Sequence, residues 1–408
     1  MRKESRCAII NNDLLCKGVA TMAHGNLVDA KKSQKDEFYT LYEDIQKEVN
    51  AYLEYDPDVF RGKTILLPCD DPEWSNFTRF FAQNFDTLGI KKLISTSYAI
   101  ESKQARYPFG YQLSLFETEA PQFDESKALS RGKIFTLTRE GHASGVIDLD
   151  DLEWQYLEGD GDFRSDEVRK LRDEADIIIT NPPFSLLREF VVWVMEANKK
   201  LLIIGNFNTV ITCNDIFPFI KNNQLWVGAT NFNTGMYFGV PDDFEYKDSY
   251  KFDRYRDGKK VNRVPSICWF TNLDHGRRHQ PLQLMSMADN IRYSKHKEIR
   301  GNQYYTYDNY DGIEVNYYDA IPNDFDGVMG VAITFLGKYC PEQFEIIALS
   351  RYLEDSRGMS KEFVDTYYKQ GNTGAISEGH PDLCYYDKDG NAIVPYMRLL
   401  IRATGGTK

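Results

Sequence analysis

Short apolar runs rich in β-branched residues alternate along this chain with segments whose apolar positions recur every three or four residues. The first pattern predicts buried strands and the second amphipathic helices, and their alternation predicts an α/β sheet with helices on its faces. Strands are expected at Thr64–Leu67, Lys92–Ser97, Ile177–Ile179 and Leu201–Gly205, with Leu225–Gly228 and Ser266–Thr271 as a terminal pair. Helices are expected over Leu41–Leu53, where Ile45, Val49, Tyr52 and Leu53 share a face, and after Ser75-Asn76, where Phe77, Phe80, Phe81 and Phe85 do. A third covers Ser185–Asn198 through Leu186, Leu187, Phe190, Val191, Val194 and Met195. Thr40, with Glu43 three residues on, reads as the capping box of the first. Residues 1–30 carry little pattern and read as an N-terminal arm, while 103–145, with Pro108, Gly110 and Pro121, read as an insertion.

The stretch Asp176-Ile177-Ile178-Ile179-Thr180-Asn181-Pro182-Pro183-Phe184 is the most informative. Two prolines cannot continue a strand's pairing, so the strand stops at Asn181 and the turn lies at its carboxyl end, where open α/β sheets bind their ligands. The side-chain oxygen of Asn181 and the carbonyl of Pro182 are both acceptors and suit the two hydrogens of an exocyclic amino group. Holding both hydrogens draws that nitrogen out of conjugation and frees its lone pair. Phe184 adds a flat face for a planar base or amide. The plainer reading is a Pro-Pro turn that only ends a strand, and the preceding strand together with Phe184 favours the chemical one.

Other loops fall on the same expected edge. Cys69-Asp70-Asp71-Pro72 follows the first strand, and with Ser75 and Asn76 it suits the ammonium and carboxylate of an amino acid. No G-x-G occurs from Leu66 to Phe81, so the usual phosphate-binding turn is absent. Glu101 is the nearest acid after the second strand, and Glu158-Gly159-Asp160-Gly161-Asp162-Phe163 reads equally as a plain acidic turn or as one in which Asp160 or Asp162 accepts from a ribose or an adenine amino group.

Charge changes the picture more than composition does. The 408 residues carry a net charge of −12, yet Lys251–Arg300 holds twelve Lys/Arg against five acids, interleaved with Tyr250, Phe252, Tyr255 and Asn262. Alone such a window reads as a solvated basic face; beside the Asn-Pro-Pro-Phe turn, phosphates and base edges become the favoured reading. Its candidates are Lys251, Arg254, Arg256, Lys259, Lys260, Arg263, Arg277 and Arg278. Seven cysteines without a C-x-x-C pair indicate reduced thiols, and His275 and His279 have no third ligand near them in sequence, so no metal is expected. No run is long enough to span a bilayer, and a cytoplasmic location is expected.

Taken in order, Lys35–Thr40, Cys69-Asp70-Asp71 with Ser75-Asn76-Phe77, Gly159–Ser165, Asn181–Phe184 and Cys268–Leu273 resemble the EcoRI-type adenine-specific DNA methyltransferases. The likeness continues through Ile333–Tyr339, Pro341–Phe344 and Tyr396–Arg402, and so spans the chain from about Lys31 to Arg402. It implies a Rossmann-like S-adenosylmethionine domain over 31–275, with a DNA-contacting loop at about 231–263, and a target-recognition region over 276–408. The implied activity is methylation of adenine N6 in double-stranded DNA by base flipping, leaving S-adenosylhomocysteine. Lys35, Asp36, Phe38, Tyr39, Cys69, Asp70, Asp160 and Asn181 would contact the cofactor, and Asn181, Pro182, Pro183 and Phe184 would hold the adenine. A monomer is expected, and the resemblance allows a cognate restriction endonuclease in the same system. The alternatives are an RNA or protein-glutamine amino-methyltransferase and a catalytically silent DNA-binding protein of the same fold.

Overall fold

A computed structural model describes residues 39–72, 75–99, 121–139, 154–242 and 244–405. Its centre is an eight-stranded mixed sheet. In chain order the strands are β2 (Thr64–Leu67), β3 (Lys92–Thr96), β4 (Lys133–Thr138), β5 (Trp154–Tyr156), β6 (Ile177–Thr180), β7 (Lys200–Asn206), β8 (Trp226–Val227) and β12 (Ile267–Thr271). They lie in the order β5-β4-β3-β2-β6-β7-β12-β8. The four inner strands β3, β2, β6 and β7 are parallel, and an antiparallel pair closes each side. All six predicted strands are present, and their unbroken apolar runs reflect burial on both faces. Within the stretch expected as an insertion, Lys133–Thr138 is a strand of this sheet, antiparallel to β3.

The chain leaves β2 towards β3 and leaves β6 in the opposite direction towards β7, so the connections diverge between β2 and β6. A crevice opens at such a point because the two crossover helices fall on opposite faces of the sheet. On one face, α1 (Tyr42–Tyr55) and α2 (Asn76–Gln83) pack through Ile45, Val49, Tyr52, Phe77 and Phe81 against Ile65, Ile179, Ile204 and Trp269. On the other, α3 (Asp166–Glu174) and α4 (Leu187–Glu196) supply Val168, Leu187, Phe190 and Val194 against Leu66, Ile178 and Ile203.

Two further sheets matter to the site. β1 (Tyr39–Thr40), β9 (Met236–Gly239), β10 (Tyr255–Arg256) and β11 (Lys259–Val264) form a small antiparallel sheet in the order β1-β9-β11-β10. Thr40 pairs with Phe238 in it, so the helix starts at Tyr42 with Leu41 as its cap and the expected Thr40–Glu43 capping box does not form. Ser75 does cap α2, accepting from the Phe77 amide. In the C-terminal region β13 (Gly312–Val315), β14 (Val328–Ala332), β15 (Phe344–Leu349) and β18 (Arg398–Ala403) form a four-stranded sheet, with β16 (Tyr385–Tyr386) and β17 (Ala392–Ile393) as a separate hairpin. This sheet shares its core with the main one, since Met329, Ile333, Phe335 and Ile401 join the cluster that holds Ile203 and Phe270.

Glycines at the carboxyl edge of the parallel strands are used for close approach. Gly161 has φ +81°, and a Cβ there would lie 2.1 Å from the Ser97 carbonyl oxygen; one at Gly132 would lie 2.4 Å from the same atom. Gly161→Ala should therefore destabilise the fold by about 1–3 kcal/mol, read as a fall of several degrees in Tm.

Candidate active site

Four loops converge on the carboxyl edge of the parallel strands: 68–72 with Ser75 after β2, 97–99 after β3, 157–165 after β5 and 181–184 after β6. Their backbones are joined directly. Asp70 N–H donates to the Thr96 carbonyl at 3.0 Å, Ala99 N–H to the Asp160 carbonyl at 2.7 Å and Gly132 N–H to the Gly159 carbonyl at 3.0 Å. Asp160 also accepts from the Asp162 amide at 3.0 Å, which sets the turn. Ser165 then caps α3 through the Val168 amide.

Asp70 sits in the crevice between β2 and β6. Its carboxylate accepts from Ser75 Oγ at 2.7 Å and Thr180 Oγ1 at 2.6 Å, and its carbonyl from Ser95 Oγ at 2.5 Å. Burial pushes this carboxyl up to about 7, against the lowering effect of the two hydroxyls. Thr180 is the residue before Asn181, so the Asp70 carboxylate fixes where the Asn-Pro-Pro-Phe turn begins.

Asn181 is half-buried at the end of β6, Pro182 is buried, and Pro183 is extended at φ −55°, ψ 124°. Phe184 opens a 3-10 turn, Phe184–Leu186, that runs into α4, and its ring packs on the α2 face beside the cluster of Phe77 and Trp269. Pairing of β6 with β7 ends at Thr180, and neither proline has an N–H to extend it, so the turn lies outside the ladder; within it the Pro183 carbonyl accepts from the Leu186 amide at 2.9 Å. Cys69 is half-buried, with its thiol raised above the usual range by desolvation.

A model of the family described as "Adenine-specific methyltransferase EcoRI" matches residues 26–404. The chain belongs to the EcoRI-type adenine-specific methyltransferases. It is 39% identical over 329 residues to the type II methyltransferase M.EcoRI of Escherichia coli, covering 80% of this chain and 89% of that one. It is 37% identical over 322 residues to the type II methyltransferase M.MpnI of Mycoplasma pneumoniae, covering 78% and 83%. No solved structure matches the chain significantly. The α/β methyltransferase fold and the DNA adenine methylation expected from the resemblance are thereby borne out, and membership implies S-adenosylmethionine as the methyl donor.

In this EcoRI-type enzyme Asn181, Pro182, Pro183, Phe184, Cys69, Asp70 and Asp160 lie together on one edge. Lys35, Asp36 and Phe38 lie outside the described residues, as do Glu101 and the 1–30 arm. Tyr39 is placed in β1, antiparallel to β9. Lys133, which the apolar pattern gave no reason to single out, is buried at the same edge with its ammonium 4.7 Å from the Trp154 ring centroid and 4.0 Å from Asp71. Ser97 is close by, its hydroxyl accepting from the Lys133 amide at 3.2 Å. Only the spacing of Ser97 from the end of β3 could have flagged it.

The basic window divides in two. Lys251, Arg254, Arg256 and Lys259 are exposed on and beside the β10–β11 hairpin, which leads straight into the end of β12 that pairs with the exit of β7. Aromatic rings prop several of the guanidiniums: Arg256 over Tyr237 at 3.4 Å, Arg254 over Tyr246 at 4.9 Å and Arg263 over Phe252 at 4.2 Å. Lys260 and Arg263 are half-buried and also bond the Asp242 and Thr234 carbonyls. Arg277 and Arg278 leave the other end of β12, at the amino edge of the parallel strands. Arg278 is 8% exposed, stacked on Trp226 and bonded to Asp274 and Asn223, so it holds this corner together and is withdrawn from the DNA-facing candidates. Arg277 is exposed, but one of its amines bonds the Ala229 carbonyl, and its side of the sheet faces away from Asn181.

His275 and His279 serve structure. His275 is buried, bonded to the Val227 carbonyl, and lowered to about 4 by desolvation, hence neutral. His279 bridges Asp274 and Glu342 and stacks on Tyr55. Among the described residues no helix is long and apolar enough to cross a membrane.

The folded protein keeps the Asp70 proton at pH values where the unfolded chain, with the ordinary value of 3.8, has lost it. This group's contribution to stability therefore falls as pH rises from about 4 to about 7 and is level above that. Asp70→Asn should remove that fall, as read from urea midpoints across the range. Thr180→Val, which leaves the buried carboxylate one donor short, should cost about 1–3 kcal/mol at neutral pH.

Proposed function

We propose that this enzyme lifts the target adenine out of double-stranded DNA and holds its N6 between Asn181 and Pro182 while the base stacks on Phe184. The observation that carries this is the fixing of the Asn-Pro-Pro-Phe turn at the divergence of β2 and β6, through the Thr180–Asp70 hydrogen bond. Acceptance of both N6 hydrogens by the Asn181 side-chain oxygen and the Pro182 carbonyl localises the nitrogen lone pair. No strong general base is needed, because the proton leaves to water once methylation has made the nitrogen positively charged.

The neighbouring loops suit S-adenosylmethionine. Asp70, Asp71, Asp160 and Asp162 give an acceptor-rich rim, matched to an ammonium, a sulfonium and ribose hydroxyls. Cys69, Asp70, Asp160 and Asn181, with Lys35, Asp36, Phe38 and Tyr39 on the N-terminal segment, would hold it, and no metal takes part. When bound, the group supplies an electrophilic methyl, and its product is S-adenosylhomocysteine. The hairpin residues Lys251, Arg254, Arg256 and Lys259 hold DNA phosphates, with Lys260 and Arg263 at the margin. Residues 31–275 act as the catalytic domain and 276–408 carry target recognition. The enzyme acts as a monomer in the cytoplasm, alongside a cognate restriction endonuclease.

Incubation of plasmid DNA with labelled donor, followed by nucleoside analysis and mapping of the modified site, tests the reading; N6-methyladenine is expected. Asn181→Ala should lower kcat on the order of a hundredfold or more while donor affinity, carried mainly by the Asp70 and Asp160 loops, falls far less. An alanine variant of Arg254, Arg256 and Lys259 should bind duplex more weakly on every sequence, with the salt slope reduced by about one for each phosphate the variant no longer neutralises.

A further inference from the structure

We propose that the cleft between the exit of β7 and the C-terminal sheet receives a second nucleotide, the thymidine left without its partner when the target adenine is lifted out. This rests on the base-extrusion reading and adds to it a place for the other strand. The cleft has a volume of about 390 Å³, inside the range of pockets that enclose a small ligand. Phe207 and Phe232 meet edge to face in its wall, with ring centroids 5.1 Å apart, and Thr334 and Tyr396 face them from the C-terminal region. Tyr396 is 60% exposed. Asn208 and Asn233 line it too, beside Arg263, and among the described residues the two side-chain amides have no hydrogen-bond partner.

This is the chemistry of a nucleobase site. Aromatic rings offer stacking and contact for the thymine methyl, and an amide offers an acceptor and a donor to the N3–H and a carbonyl of the same base edge. The cleft is separate from the place given to the adenine. Phe184 packs with Phe77 and Trp269 on the α2 face, whereas Phe207, Ile333 and Met397 belong to the core of the opposite face. Both open at one edge, because β7 lies next to β6 and ends at Asn206, two residues before Asn208. Extrusion of the adenine leaves its thymidine as the one base of the duplex that has lost pairing without moving, and this lowers the cost of displacing it.

The test uses fluorescence anisotropy with the mapped site duplex and a second duplex that is abasic opposite the target adenine. Tyr396→Ala and Asn208→Ala should each weaken binding of the intact duplex about tenfold, with donor affinity unchanged. On the abasic duplex the wild type and both variants should agree within about twofold. Unchanged affinity for the intact duplex, or a deficit that persists on the abasic one, overturns the proposal, and loss of donor binding in either variant would reassign the cleft to the donor. Methylation of the intact duplex by the wild-type enzyme, measured in parallel, tests the extrusion reading separately.

Discussion

The carboxylate of Asp70 is the junction on which the carboxyl edge of the central sheet depends. One oxygen holds Ser75, which caps α2, and the other holds Thr180, the last residue of β6. Its backbone joins the end of β3 through Thr96 and Ser95, and Ser95 shares a hydroxyl contact with Thr78 of α2. Three strand ends and a helix start are thus registered by one buried acid. Removing a carboxylate from water is unfavourable, and the two hydroxyls offset only part of that. A positively charged ligand at this rim would offset more, so binding there and rigidity of the turn reinforce one another.

A second buried acid does comparable work on the α1 side. Glu48 accepts from the Ala229 and Thr230 amides, both at 2.7 Å, from the Thr230 hydroxyl and from Tyr52. It pins the loop that enters β9, the strand that joins β1 to the basic hairpin. Gly228 is required beside it, since a Cβ there would lie 2.3 Å from the Glu48 carboxylate. The loop before β9 is therefore anchored to α1, the same helix that follows the N-terminal segment carrying Tyr39.

Much of this was readable from the chain alone because the signals were local. Strands buried on both faces print as runs such as Ile177–Ile179, a proline pair ends a strand wherever it falls, and Ser75 sits where a cap is needed. What was not readable depended on distant partners. Thr40 has the residues of a capping box but is taken by Phe238, almost two hundred positions away. Arg278 belongs by sequence to a basic window, yet β12 carries it through the sheet to the opposite edge, where Trp226 and Asp274 enclose it. Lys133 looked like part of an insertion because β4 lies between charged, loop-like stretches, and only pairing with β3 shows its place.

The C-terminal sheet does not stand apart from the eight-stranded one. Met329, Val331, Phe335 and Ile401 pack into the same apolar layer as Ile203, Cys268 and Phe270. A cut near 275 would strip that layer from both halves and expose each to water. Change in the C-terminal half must then accumulate residue by residue along its surface loops, since a half that shares its core cannot be exchanged whole the way a tethered module can.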